Sequence, residues 1–295
     1  MQPIRGVPGH LARHAEGAAV SLPSALRAAR TARDRTLAGA PRRRAEEAVA
    51  KYEKAIVVGG STGIGRAMAL QLAGAGAQVV VLGRREKELK ELEKDPLAFG
   101  RITTQVHDVQ DFDSIRGTFD AVVAKLGGLD VLIYAAGVMP KIEEGEYDFA
   151  KDKQMIDVNL VGAMGWMNPA AARFEAAKSG TIVGISSIAG ERGRRGNPAY
   201  CTSKGALSIY LESLRNRCSR YGVNVVTIKP GFVDTAMTKG MKGLFWLVSA
   251  DEAASQSLAL ARSEVSASAF VPSRWALVAF IVRNIPSFIF RKMNF

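Results

Sequence analysis

Cysteine and histidine are scarce, with two and three residues respectively in a chain of 295. Cys201 and Cys218 fall on what reads as one helix, so the sequence offers no disulfide framework and no ligand cluster of metal-site spacing. No bound metal is expected, and a reducing, cytoplasmic setting fits. A Ser/His/Asp hydrolase is nearly excluded, because His107 is the one histidine beyond the amino-terminal fifty residues. Long apolar runs are missing too: none reaches the roughly 18 to 20 residues of a bilayer crossing. With 47% hydrophobic and 23% charged residues, the composition is that of a globular enzyme with a sizeable core.

Acidic residues are outnumbered, 28 against 40 Lys and Arg, for a net charge of +12. The excess sits at the ends. Residues 1–50 carry nine Arg and four acids, and residues 262–295 carry five basic residues and one acid. A basic groove across the middle of the chain is therefore not expected, and no nucleic-acid partner is assigned. Residues 1–50, rich in Ala and Arg with four prolines, read as an extension outside the fold; a transit peptide and an upstream start codon are the competing explanations. Residues 51–271 read as the catalytic domain and 272–295 as a basic, apolar tail.

From Lys54 onward, short β-branched runs alternate with helical stretches. Ala55–Val58, Gln78–Leu82, Ile102–His107, Val131–Tyr134, Thr181–Ile185 and Val223–Ile228 predict strands. Gly65–Ala75, Asp111–Leu126, Lys151–Lys178 and Ala199–Tyr221 predict helices. Apolar runs without two-residue alternation mean strands buried on both faces. The expected architecture is α/β, a doubly wound parallel sheet of Rossmann type, with ligands beyond the carboxyl ends of its strands.

The first strand runs into Gly59-Gly60-Ser61-Thr62-Gly63-Ile64-Gly65, which opens a helix. Glycines here let the backbone turn tightly and approach a pyrophosphate at the helix amino end; a plain tight turn is the bland alternative. The next strand ends in Arg84-Arg85, where an acid for the ribose hydroxyls of NAD would stand. Two arginines suit the 2′-phosphate of NADP(H) by charge-assisted hydrogen bonds, unless they are solvated surface charges. Asp108, after the third strand, reads either as an acceptor for an adenine amino group or as a helix cap.

Tyr200 and Lys204 stand four apart, hence on one helical face. A neighbouring ammonium would favour phenolate and lower the tyrosine's ordinary value near pH ~10, letting Tyr200 exchange a proton with a substrate oxygen near neutrality. Ser187, at the end of the fifth strand, is placed to hydrogen-bond the same oxygen. Taken singly, a Tyr/Lys pair is usually an amphipathic surface.

Together, Gly59-x-x-x-Gly63-x-Gly65, Asp108-Val109, Ala136-Gly137, Asn159, Ser187, Tyr200-x-x-x-Lys204 and Pro230-Gly231 resemble the short-chain dehydrogenase/reductase family over about Lys54–Val271. The resemblance implies an oxidoreductase interconverting a ketone and a secondary alcohol. It implies that Asn159 holds a water in a proton relay with Lys204, and that Lys204 also binds the nicotinamide ribose. Val233 and Thr235 would contact the carboxamide. A cofactor-sensing protein that kept the fold without catalysis is the alternative. Two positions depart from the pattern: Val58 replaces the usual Thr, and Tyr134-Ala135-Ala136-Gly137 replaces Asn-Asn-Ala-Gly, removing an Asn that helps fix the central strand.

Gly240–Val248, the region covering the substrate in this family, is strongly apolar, which points to a hydrophobic substrate or to a buried core helix. The tail holds Trp275–Val282, eight apolar residues, followed by aromatics among Arg283, Arg291 and Lys292. Such a pattern suits shallow insertion at an anionic membrane surface, or a helix packed on the core or in a subunit interface. Ser186–Arg195 and Ile285–Lys292 also resemble a bacterial branch of the family that reduces a keto-sugar carried on a polyprenyl phosphate. That resemblance implies a lipid-linked ketone as partner, with Arg192, Arg194 and Arg195 as candidates to meet its phosphate. A homo-oligomer is expected.

Overall fold

The computed structural model describes residues 52–293, apart from 242 and 264; the amino-terminal extension predicted over 1–50 lies outside the described residues. In chain order the elements are β1 (Lys54–Val58), α1 (Gly63–Gly74), β2 (Gln78–Gly83), α2 (Glu86–Glu93), β3 (Ile102–Val106), α3 (Phe112–Leu126) and β4 (Val131–Tyr134). There follow α4 (Phe149–Ile156), a π-helical turn (Asp157–Val161), α5 (Gly162–Ala177), β5 (Gly180–Ile185), a 3-10 turn (Ile188–Glu191), α6 (Pro198–Cys218) and β6 (Val223–Pro230). The remainder comprises β7 (Val233–Asp234), β8 (Val248–Ser249), α7 (Ala250–Arg262), β9 (Ser268–Val271), α8 (Trp275–Asn284) and α9 (Ser287–Phe290).

Seven strands form one parallel sheet in the order β3-β2-β1-β4-β5-β6-β9. Alternate residues of each central strand feed opposite layers. Ala55 and Val57 of β1 join Met68, Leu72, Leu89 and Leu258 from α1, α2 and α7. Ile56 and Val58 join Phe119, Trp166, Phe174 and Leu211 from α3, α5 and α6. Helices on both faces account for the uninterrupted apolar runs, since neither face of the sheet meets water. At about 25 cal/mol per Å2 of apolar area removed from water, this double burial is the main stabilising contribution.

The predicted strands are present, Val131–Tyr134 with the same bounds and the others with one end shifted by one or two residues. The seventh, β9, was not expected: Ser268-Ala269-Phe270-Val271 is short and lies at the sheet edge, where little apolar patterning is needed. The single helix predicted over Lys151–Lys178 is three pieces, because the Gly162 amide reaches back to the Asp157 carbonyl through one extra residue. Chain order reverses between β1 and β4, where the glycine turn and the Ala135–Gly137 segment emerge side by side. In sheets of this class, ligands bind at such a switch point.

Candidate active site

Gly59 shows why the turn after β1 needs glycine. Its φ is +84°, and a Cβ there would lie 2.2 Å from the Ala136 nitrogen, so the two strand ends touch backbone to backbone. Thr62 follows as the amino-terminal cap residue of α1, and the side chain of Ser61 is buried. Gly63, also at positive φ, faces the methyl of Thr235 from the loop after β6. Ile64 packs partly buried against the core and Gly65 is buried in α1.

Arg85 bends over this turn. Its Nη2 donates to Ser61 Oγ at 2.9 Å and to Thr62 Oγ1 at 2.5 Å. Arg84 faces Asp108 at 3.7 Å, with both side chains nearly half exposed. Asp108 also accepts from the Gln110 amide at 3.1 Å, while Asp111 occupies the cap position of α3. The cap alternative for Asp108 is therefore replaced by a local turn plus an arginine contact. Val109 stands apart from the other predicted cofactor residues, since its side chain belongs to the core beside Tyr134.

Tyr200 lies in the first turn of α6. Asn197 caps that helix by accepting from the Tyr200 amide at 3.0 Å, and Pro198 occupies the first turn, where its missing N–H costs nothing. Ser187 is carried by the 3-10 turn after β5, whose Ala189 amide donates to the Ser187 hydroxyl at 3.0 Å. This turn is pressed against α6 at Gly190 and Gly205; a Cβ on Gly190 would lie 2.7 Å from the Gly205 nitrogen. Close backbone approach is what brings Ser187 to Tyr200.

The electrostatics correct one expectation. Burial raises the Tyr200 phenol above its ordinary range; the hydrogen bond from Ser187 and the charge of Arg194 pull it down only in part. Lys204 does not act as the lowering charge. Its ammonium sits 5.9 Å from the centre of the tyrosine ring and donates to the Ile185 carbonyl at 2.9 Å. Burial lowers Lys204 itself to about 8. Desolvation outweighs the pairing that helical spacing alone anticipates, and Tyr200 is held protonated at neutral pH.

Asn159, fully buried in the π-helical turn, spends its side chain on structure. Its Oδ1 accepts from the Val138 amide at 2.8 Å, and its Nδ2 donates to the Val138 carbonyl and to Ser203 Oγ, both at 3.0 Å. Ser203 in turn donates to the Tyr200 carbonyl at 2.8 Å. Asn159 thus ties the loop after Gly137 to the helix of Tyr200, and both amide N–H groups are taken by the protein.

Tyr134 stands where the motif departs from the family pattern. It is fully buried, and its hydroxyl donates to the Val158 carbonyl at 2.6 Å. Burial raises this phenol strongly, so it acts as a permanent donor. It anchors β4 to the π-helical turn, the kind of link expected of the absent Asn. Of the three arginines considered for a phosphate, Arg192 is committed to the Val282 and Ile285 carbonyls, and Arg195 faces Glu144 at 3.7 Å.

The residues fit a dinucleotide: a glycine turn at a helix amino end in which Gly59 and Gly65 leave no room for a Cβ, two arginines at its rim, and Ala136, Gly137, Pro230, Gly231, Val233 and Thr235 at neighbouring strand ends. His107 is buried edge-on to Trp166, and no group of metal ligands occurs among the described residues. No helix of the described residues is long and apolar enough to cross a membrane.

Residues 53–243 match the short chain dehydrogenase family model. An uncharacterized oxidoreductase of Myxococcus xanthus is 37% identical over 188 residues, covering 63% of this chain and 74% of that protein. The structure of a short-chain type dehydrogenase/reductase from Mycobacterium ulcerans superimposes with a TM-score of 0.67 at 25% identity, covering 74% of this chain and 87% of that one. ElxO, with NADP bound, shares the fold at a TM-score of 0.64 and 24% identity, over 71% of this chain and 91% of its own. The chain belongs to the short-chain dehydrogenase family: it is an oxidoreductase that binds a nicotinamide cofactor and acts on a CH–OH group.

Proposed function

We propose that this chain is an NADP(H)-dependent ketone reductase for a hydrophobic or lipid-linked keto substrate. The observation that carries this reading is the buried Tyr200 hydroxyl beside Ser187, whose phenol burial raises. Reduction consumes a proton at the nascent alkoxide, and a phenol kept neutral is the form that donates one. When bound, the cofactor supplies the hydride that reaches the carbonyl carbon. Ser187 orients the substrate oxygen, Tyr200 gives it a proton, and Lys204 holds positive charge at the nicotinamide ribose. Asn159 fixes the loop after Gly137 so that these groups keep their spacing.

NADP(H) is favoured over NAD(H) by the guanidinium of Arg85 across Ser61 and Thr62, with Arg84 nearby and no acid at the end of β2. An apolar substrate is favoured by the rings next to the cofactor loop. Phe232, Phe245, Trp246 and Trp275 stack edge-on and tilted with centroids 4.9 to 5.7 Å apart, and Phe245 and Trp246 are partly open to solvent. The outward face of α8, with Leu277, Phe280 and Ile281, would also suit an anionic membrane surface. Co-sedimentation with anionic vesicles tests this, and equal pelleting of the full chain and one ending at Arg274 rejects it.

The decisive experiment follows NADPH absorbance against a panel of apolar and prenyl-phosphate ketones, with wild type and Tyr200→Phe. A wild-type turnover that falls about a thousandfold in the variant, with NADPH affinity unchanged, is the expected result. Equal rates in the two proteins reject Tyr200 as the proton donor.

A further inference from the structure

We propose that the carboxyl-terminal segment Trp275–Phe290 is a latch that sets the position of Ser187 and of the loop after β6. Three contacts carry this. The Glu191 carboxylate, 1% exposed, meets the ammonium of Lys229 at 2.8 Å and is also paired with the guanidinium of Arg283. Glu191 ends the 3-10 turn that Ser187 begins, Lys229 immediately precedes Pro230, and Arg283 belongs to α8. One buried carboxylate thereby joins the serine turn, the root of the nicotinamide-side loop and the tail. Lys229 is further held over the ring of Phe270 in β9, 5.6 Å from its centre.

The second contact is Arg192, next in the chain. Its Nη1 donates to the Val282 carbonyl at 2.7 Å and to the Ile285 carbonyl, satisfying acceptors that the end of α8 leaves open. Its guanidinium lies 3.9 Å from the centre of the Phe290 ring in α9. The third is steric. Trp275, 3% exposed, lies so close to Gly231 that a Cβ there would sit 2.0 Å from the indole. Gly231 thus has the tail's first ring as its floor.

Burying a carboxylate is costly unless partners surround it, so Glu191 is stable only while Lys229 and Arg283 are in place. A tail that merely covered the surface would need no such group. Glu191, Arg192, Lys229 and Arg283 are positioning residues, acting on the substrate oxygen only through Ser187 and on the cofactor only through Gly231–Thr235. This inference rests on the reading of Ser187 and Tyr200 as the reacting pair.

The test uses the full chain with Arg283→Gln and Arg192→Met, singly and together; Arg283 is half exposed, so its replacement spares the core. Amide hydrogen exchange in the NADPH-loaded protein should quicken at least tenfold over 187–193 and 231–235, with 54–65 unchanged. Turnover of 9,10-phenanthrenequinone should fall at least fivefold with NADPH affinity within twofold.

Unchanged exchange in both loop segments overturns the latch, and exchange alone decides if wild type does not reduce this diketone. Faster exchange with unchanged turnover also overturns it, as the tail would then be structural only. If Ser187→Ala and Tyr200→Phe leave turnover intact, the reading of the reacting pair fails instead, which the exchange data do not touch.

Discussion

The two halves of the site are built by different means. On the cofactor side, β1, β2 and β4 deliver their loops through backbone contact, as Gly59 against Ala136 shows, and through short-range side chains such as Arg85 to Ser61 and Thr62. Where the substrate would meet the nicotinamide, the serine turn and the loop after β6 are held from outside by the carboxyl-terminal segment: Arg283 to Glu191, Arg192 to Val282, and Trp275 against Gly231. A pyrophosphate is the same in every nicotinamide enzyme, so a fixed backbone shape serves it. A substrate varies, and the half that meets it is assembled from segments free to change.

Breaking each half separately sharpens the contrast. Gly59→Val should have the largest effect on cofactor binding, because the added carbons have nowhere to go at positive φ against Ala136. NADPH affinity measured by fluorescence is expected to fall at least about a hundredfold, with α6 and its cap undisturbed by circular dichroism. A milder lesion on the same side is Arg85→Ala. Loss of a charge-assisted bond worth about 1.5 to 3 kcal/mol predicts a roughly 10- to 100-fold weaker NADPH complex with NADH little affected, read by titration with each cofactor. Equal losses for the two cofactors would return Arg85 to a structural role.

Between the halves stands Lys204, where function and stability pull apart. Its value near 8 means that the native state sheds a proton between pH 8 and 10.5 that the unfolded chain keeps. Stability from this group therefore rises with pH through that window, and below pH 8 the buried ammonium costs stability. Lys204→Met should abolish turnover while raising the unfolding free energy at pH 7 by roughly 1 to 3 kcal/mol, measured by urea denaturation. The smallest effect is expected at Tyr134→Phe. Leaving the Val158 carbonyl without its donor should cost about 1 to 2 kcal/mol of stability and lower turnover a few-fold through the displaced π-helical turn.

Most of the sheet was legible because burial on both faces writes unbroken apolar runs. The candidate residues of the site were legible because their spacing follows local geometry: a strand end for Ser187, one helical turn from Tyr200 to Lys204. What escaped has physical reasons as well. In α2, Glu86–Glu93, just Leu89 and Leu92 are buried, so its charges hide its periodicity. The raised Tyr200 phenol depends on how tightly the 3-10 turn closes over it, which spacing does not encode. Glu191, Lys229 and Arg283 read singly as surface charges; their convergence exists only once the sheet has brought β6, the serine turn and α8 together.

The extra residue in the turn Asp157–Val161 gives one long helical stretch two orientations. A single inserted position rotates everything beyond it by about 100° relative to an unbroken α-helix. Before the turn, Met155 packs with Ala199 and Tyr200; after it, Trp166 and Phe174 pack on the sheet. Deleting any one residue from 157–161 would therefore act as a change of phase rather than of composition. The sheet-facing half would keep its place, and Met155 and Asn159 would be turned away from the helix that carries Tyr200.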